Sequence, residues 1–86
     1  MAAVISGIVR DPSGRPVPQA RVYFTDGPVP LPDIAALTDA GGAFSLPAPA
    51  PGIYRIECQT NGFAPVITSV NVGSWGAVSV DISFER

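Results

Sequence analysis

Histidine and lysine are both missing from the 86 residues. Without histidine there is no Ser-His-Asp or Cys-His arrangement and no histidine metal ligand. No side chain then titrates near neutral pH unless its pKa is strongly shifted. Without lysine there is no Schiff base. The five basic residues are all arginine, the pattern left by a codon bias that replaces lysine. Cysteine occurs once, so an internal disulfide is excluded, and the place of Cys58 in an alternating apolar run marks a buried, inert thiol rather than a redox group. Charge is scarce: 14% of residues carry it, with a net −2 and no run of either sign, so there is no electrostatic footprint for nucleic acid or an anionic membrane. No apolar run approaches the roughly 18 residues of a membrane span. Met1-Ala2-Ala3-Val4-Ile5 passes straight into a strand pattern, which reads as no signal peptide and a cytoplasmic chain, or an extracellular one if it is a domain excised from a larger secreted protein.

What the chain does contain is apolar material, 47% of its residues, enough for one core and one domain over residues 1–86. The apolar signal has period two, and Gly, Pro, Asn and Asp cluster between the periodic stretches. Ile5, Gly7 and Val9 share one face of a first strand. Asp11-Pro12-Ser13-Gly14 then predicts a hairpin into a second strand with Ala20, Val22 and Phe24 inward and Arg21, Tyr23 and Thr25 outward. Prolines alternating with Val29, Leu31 and Asp33 predict an irregular extended loop over 28–34. A brief strand near 35–38 precedes the Asp39-Ala40-Gly41-Gly42 reversal, after which Phe44 and Leu46 face inward. Tyr54, Ile56 and Cys58 alternate with Ile53, Arg55, Glu57 and Gln59, Asn61-Gly62 marks a turn, and Val66, Val70 and Val72 share one parity. Val78, Val80, Ile82 and Phe84 alternate to the end. The expectation is an all-β, seven-stranded antiparallel Greek-key β-sandwich. Its core would hold Ile5, Val9, Val22, Phe24, Phe44, Leu46, Tyr54, Ile56, Cys58, Val70, Val72, Val78, Val80, Ile82 and Phe84.

No spacing sets a nucleophile beside a base, so the expectation is a non-enzyme that carries no cofactor. Asp11, Asp26 and Asp39 match no calcium-loop spacing, and each sits where a turn favours Asp, so no metal is expected either. The candidates are therefore surfaces. In Val29-Pro30-Leu31-Pro32-Asp33-Ile34, prolines lower the entropy cost of binding while Val29, Leu31 and Ile34 need cover, from a partner or from the sandwich edge itself. Val4, Ile8 and Tyr23 fall on the outward parity of two strands expected to pair, where they would form a small apolar patch. Trp75 lies in a glycine-flanked turn and either stacks on a ligand or folds over the sandwich end. Edge strands offer unpaired backbone to a partner or a second copy.

Four phrases in order carry a family resemblance. They are Ser6-Gly7-x-Val9-x-Asp11-x-x-Gly14-x-Pro16-Val17-x-x-Ala20-x-Val22, Thr38-Asp39-x-x-Gly42-x-Phe44, Pro51-Gly52-x-Tyr54 and Asn61-Gly62-Phe63. Together they resemble the carboxypeptidase regulatory-like domain family over essentially the whole chain. The 28–34 stretch departs from it, since the family usually has a shorter connection there. The resemblance implies a transthyretin-like (prealbumin-like, Ig-like) sandwich serving as a non-catalytic accessory module, a spacer, stabiliser or docking surface attached to enzymes, receptors or secretion machinery. Related hydroxyisourate hydrolases use histidines and a characteristic terminal tetrapeptide where this sequence reads Ser83-Phe84-Glu85-Arg86. Pilin-type collagen-adhesin domains form a lysine-asparagine isopeptide. This chain has neither histidine nor lysine. Similar domains also decorate the tips of bacterial contractile injection systems. The functional expectation is a structural or protein-interaction module with a protein partner or self-association through edge strands. The alternative is a carbohydrate-type small-ligand binder, against which stands the shortage of exposed rings, only Trp75 and Tyr23 on different elements.

Overall fold

The computed structural model describes residues 3–31, 34–73 and 76–85. Two sheets face each other. One contains β4 (Ala43–Ala48), β1 (Ala3–Arg10), β7 (Gly76–Ser79) and β8 (Ile82–Ser83), with β1 in the middle. The other runs in the order β3 (Ala36–Leu37), β2 (Arg21–Asp26), β5 (Gly52–Gln59), β6 (Val66–Val72). Among the described residues no helix is long and apolar enough to cross a membrane.

Alternation decides which side chains lie between the sheets, because successive residues of a strand point to opposite faces. Ile5 and Val9 of β1, Phe44 and Leu46 of β4, and Ile82 and Phe84 at the C-terminal end are buried from one side. Val22, Tyr54, Ile56, Cys58, Val70 and Val72 are buried from the other. Phe24, Val78 and Val80, expected in the core, are only partly buried and pack against its margin. Ala3, Ala20 and Ala48 complete it; Ala20 is inward as expected, while Ala3 and Ala48 are small side chains that strand alternation alone did not single out. Phe63 stacks on Phe84 with ring centroids 5.4 Å apart, closing one end of the sandwich.

The expected hairpin between the first two strands is corrected by the structure. The turn itself forms: Asp11 Oδ1 accepts from the Ser13 and Arg15 N–H groups at 2.9 and 3.0 Å, and Arg10 bridges back to Pro16. Pro16 and Pro18 lack the N–H needed to continue the ladder, and Gln19 takes a left-handed φ of 58°. The chain therefore leaves β1 and enters the opposite sheet as β2. Thr38 seals this crossing from within the core, its hydroxyl donating to Val17 O at 2.6 Å and accepting from Ala20 N–H at 2.8 Å.

The final strand is the second correction. It pairs with β1 parallel, not antiparallel, and is interrupted. β7 and β8 keep the same register offset along β1, so they are two halves of one seventh strand. Between them the Val80 carbonyl occupies the space in which a side chain on Gly7 would lie, 1.6 Å from the position of its missing Cβ. Asp81 replaces the lost backbone partner by accepting from the Ile8 N–H at 3.3 Å.

Candidate functional site

Turn chemistry occupies the carboxylates first considered as metal ligands. Asp39 Oδ1 accepts from Gly41 and Ala43 N–H, each at 2.9 Å, and Asp26 Oδ1 from Gly27 N–H at 2.9 Å. Bonds from the Ser13 hydroxyl and the Arg15 N–H hold the Asp11 carboxyl below the usual carboxylate range. Among the described residues no three His, Cys, Asp or Glu side chains come together as a metal-binding group. Burial pushes the Cys58 thiol up to about 11, which leaves it protonated and unreactive at neutral pH.

The loop candidates separate into an anchor and two exposed side chains. Gly27 has no room for a Cβ because Leu31 Cδ1 and the Tyr54 ring stand 2.7 and 3.1 Å from where it would be. Leu31 is thus folded onto the core margin. The segment entering the loop is fixed too, with Pro28 against Gly52, whose φ of 143° and missing side chain admit it. Tyr54, fully buried, bonds both backbone groups of Ala50 through its hydroxyl, donating to the carbonyl at 2.6 Å. Val29 stays exposed beside Pro30 and Leu31 at the end of the sandwich, and Ile34 projects elsewhere.

Ile34 meets Tyr23. Together with Arg21 and Ala35 they line a shallow recess on the outer face of the β3-β2-β5-β6 sheet. Val4 and Ile8 do not join this group. They lie on the outer face of the other sheet, because β1 and β2 never pair, so the expected Val4–Ile8–Tyr23 patch is corrected to two separate sites. Trp75 falls outside the described residues.

Three residues absent from the sequence-derived candidates stand on the same outer face as Tyr23. Leu37 is opposite Arg21, Ile67 is opposite Glu57, and Ile53 is opposite Asn71. With Ile34 they are 57 to 66% exposed. For Ile53 and Ile67 the signal was in the strand alternation, since each is an aliphatic side chain on the parity that the rest of its strand gives to polar residues, whereas the two-residue β3 shows none for Leu37. Among them runs a polar row. The Tyr23 hydroxyl donates to Glu57 Oε2, which also accepts from Gln59 Nε2 at 2.7 Å. These bonds hold the Glu57 carboxyl low, and the same carboxylate raises the Tyr23 hydroxyl. The face thus combines stiff polar groups with uncovered aliphatics. For a sugar platform it offers one described ring, Tyr23.

The fold recurs in proteins of very different kinds. A variant of BcpA, the major pilin subunit of Bacillus cereus, superposes with a TM-score of 0.78 at 13% identity, over 98% of this chain and 29% of the pilin. The TIE protein of Bacillus anthracis does so at 0.75 and 11% identity, over 99% of this chain and 16% of that one. Catechol 1,2-dioxygenase from Acinetobacter sp. ADP1 does so at 0.75 and 12% identity, over 99% of this chain and 52% of the enzyme. Identities this low establish a shared fold and nothing about activity. In each case the chain spans only part of the larger protein. No curated protein matches it in sequence. The sequence model of the carboxypeptidase regulatory-like domain matches residues 4–85, and the chain belongs to that family.

Proposed function

We propose that this protein is a non-catalytic structural or interaction module that docks a protein partner through the outer face of its β3-β2-β5-β6 sheet. The observation that carries the reading is the concentration there of four exposed aliphatic residues, Ile34, Leu37, Ile53 and Ile67, around the fixed Tyr23–Glu57–Gln59 row. Exposed aliphatics scattered singly are ordinary, whereas several on one rigid sheet face are a feature of contact surfaces. Family membership supports a module of this type, and the pilin and TIE proteins that share its fold support a place in a larger assembly. Val29 extends the surface toward the sandwich end, while Leu31 serves as its internal anchor.

The test places a photo-cross-linking amino acid at exposed Arg21 in cells that make the protein, with and without the double substitution Ile34→Ser/Leu37→Ser. The reading expects one discrete cross-linked protein that the double variant loses while its melting temperature is unchanged. The same adduct from both forms, or none from the parent, overturns docking through this face.

A further inference from the structure

The two sheets have four edges, and three are blunted against pairing. β4 carries Pro47, which has no N–H to donate, and is followed by Pro49 and Pro51. β3 is two residues long. The β7–β8 edge is broken at Val80–Asp81 and carries a carboxylate at the break. Short length, proline, irregularity and charge are the devices that keep edges from recruiting strands.

β6 has none of these. Its seven residues, Val-Ile-Thr-Ser-Val-Asn-Val, include no proline, glycine or ionisable group, and they pair with β5 through seven consecutive positions without a register shift. Among the described residues no strand pairs with its other side. A long, regular, uncharged edge rich in β-branched residues is a template for another strand.

We propose that β6 is a homodimerisation edge, pairing antiparallel with β6 of a second copy about a two-fold axis at Ser69. The strand is self-complementary in that register. Val66 falls opposite the second copy's Val72, Thr68 opposite its Val70, Ile67 opposite its Asn71, and Ser69 opposite itself, so all seven residues find partners. The inward parity stays inward, and the half-buried Val66 and Thr68 gain β-branched neighbours. The arginine of β5 does not oppose the pairing. The Arg55 residues, each opposite Ser69 on its own chain, would stand three strand spacings apart, about 14 Å and beyond the Debye length of about 8 Å at physiological salt. The result is one eight-stranded sheet whose outer face joins Ile67 of one copy, through the second copy's Asn71, to that copy's Ile53. The pairing deepens the interaction reading above but does not use the Ile34–Leu37 margin, so the Ile34→Ser/Leu37→Ser protein dimerises normally and the two proposals fail separately.

Sedimentation equilibrium of the full chain from about 5 µM to about 1 mM measures the association. The expected result is a monomer–dimer equilibrium that Ser69→Lys weakens about tenfold, since it sets two ammonium groups opposite each other at the axis. Ser45→Lys, on the β4 edge, has no effect. Ser69 and Ser45 are both exposed, and thermal melts confirm that each variant is folded. Ser69→Cys adds a positional readout, forming a disulfide-linked dimer on oxidation. A parent that is monomeric throughout, or a dimer that folded Ser69→Lys leaves unchanged, overturns the proposal.

Discussion

Gly7→Ala is the smallest change that tests how the seventh strand lies on β1. The added Cβ would sit 1.6 Å from Val80 O and 2.7 Å from Val80 C, with Phe44 Cε1 at 3.2 Å on another side. Both close atoms are backbone, so no rotamer change relieves the clash. The carbonyl must retreat by about 1.8 Å to reach ordinary contact. A retreat of that size breaks the Val80 N–H bond to Ser6 O, now 2.8 Å, and withdraws Asp81 from the Ile8 N–H. Those two bonds are worth about 1 and about 2 kcal/mol, and partial exposure of Ile82 and Phe84 adds about 1–2 kcal/mol, for a loss of about 4–5 kcal/mol. A domain of this size has about 4–13 kcal/mol in total. At about 4–8 °C per kcal/mol the melting temperature should fall by about 16–40 °C, followed by far-UV circular dichroism. Gly14→Ala is the comparison. Gly14 has a φ of +89° and nothing within 4 Å of its missing Cβ, so only the left-handed backbone costs, about 1–2 kcal/mol. A Gly7→Ala protein that melts within about 5 °C of the parent, or no lower than Gly14→Ala, refutes the close approach of Val80 to β1.

Alternation in the last strand predicts that Ile82→Asp unfolds the domain, because it places a carboxylate in a fully apolar site, whereas Ser83→Asp one residue away melts like the parent; Val80→Asp, at a half-buried position, falls between them. Thr38→Val keeps the shape but orphans the buried Ala20 N–H and the Val17 carbonyl, and urea melts should show a loss of about 2–4 kcal/mol. The Cys58 thiol, raised from 9.0 to about 11 by burial, favours its neutral form in the fold. Its contribution is fully present below about pH 9 and is lost as pH rises toward about 11, so Cys58→Ala should flatten the alkaline limb of stability against pH, and a thiol-specific reagent should label the parent only in denaturant.

The strands were readable because alternation is local. Tyr54, Ile56 and Cys58 announce their inward face within five residues, and Asp11 and Asp39 announce their turns within four, since the carboxylate that makes each turn binds the N–H groups just ahead of it. Pairing is not local, and the two corrections lie there. Asp11-Pro12-Ser13-Gly14 predicts a reversal, which forms, but whether the returning chain stays beside β1 depends on Pro16, Pro18 and the left-handed Gln19 acting together. Likewise the parity of Val78 through Phe84 is the same whether the strand runs parallel or antiparallel to β1. Only the approach of Val80 to Gly7 reveals the break.

The same distinction explains the surface. Tyr23 and Ile34 are eleven positions apart with a proline-rich loop between them, and only the fold brings them to one recess. Val4 and Tyr23 looked like neighbours because their strands are consecutive, and the crossing at Gln19 puts them on opposite faces of the molecule. Ile53 and Ile67, by contrast, were visible as aliphatics on a polar parity, but such a residue acquires meaning only when the adjacent strands are known. β5 places Ile53 and Glu57 on the outward parity, β6 brings Ile67 beside Glu57, and β2 brings Tyr23 to its other side. An interaction face on a sheet is assembled across strands, a residue or two from each. A sequence specifies each contribution separately, and the order β3-β2-β5-β6 makes them one surface.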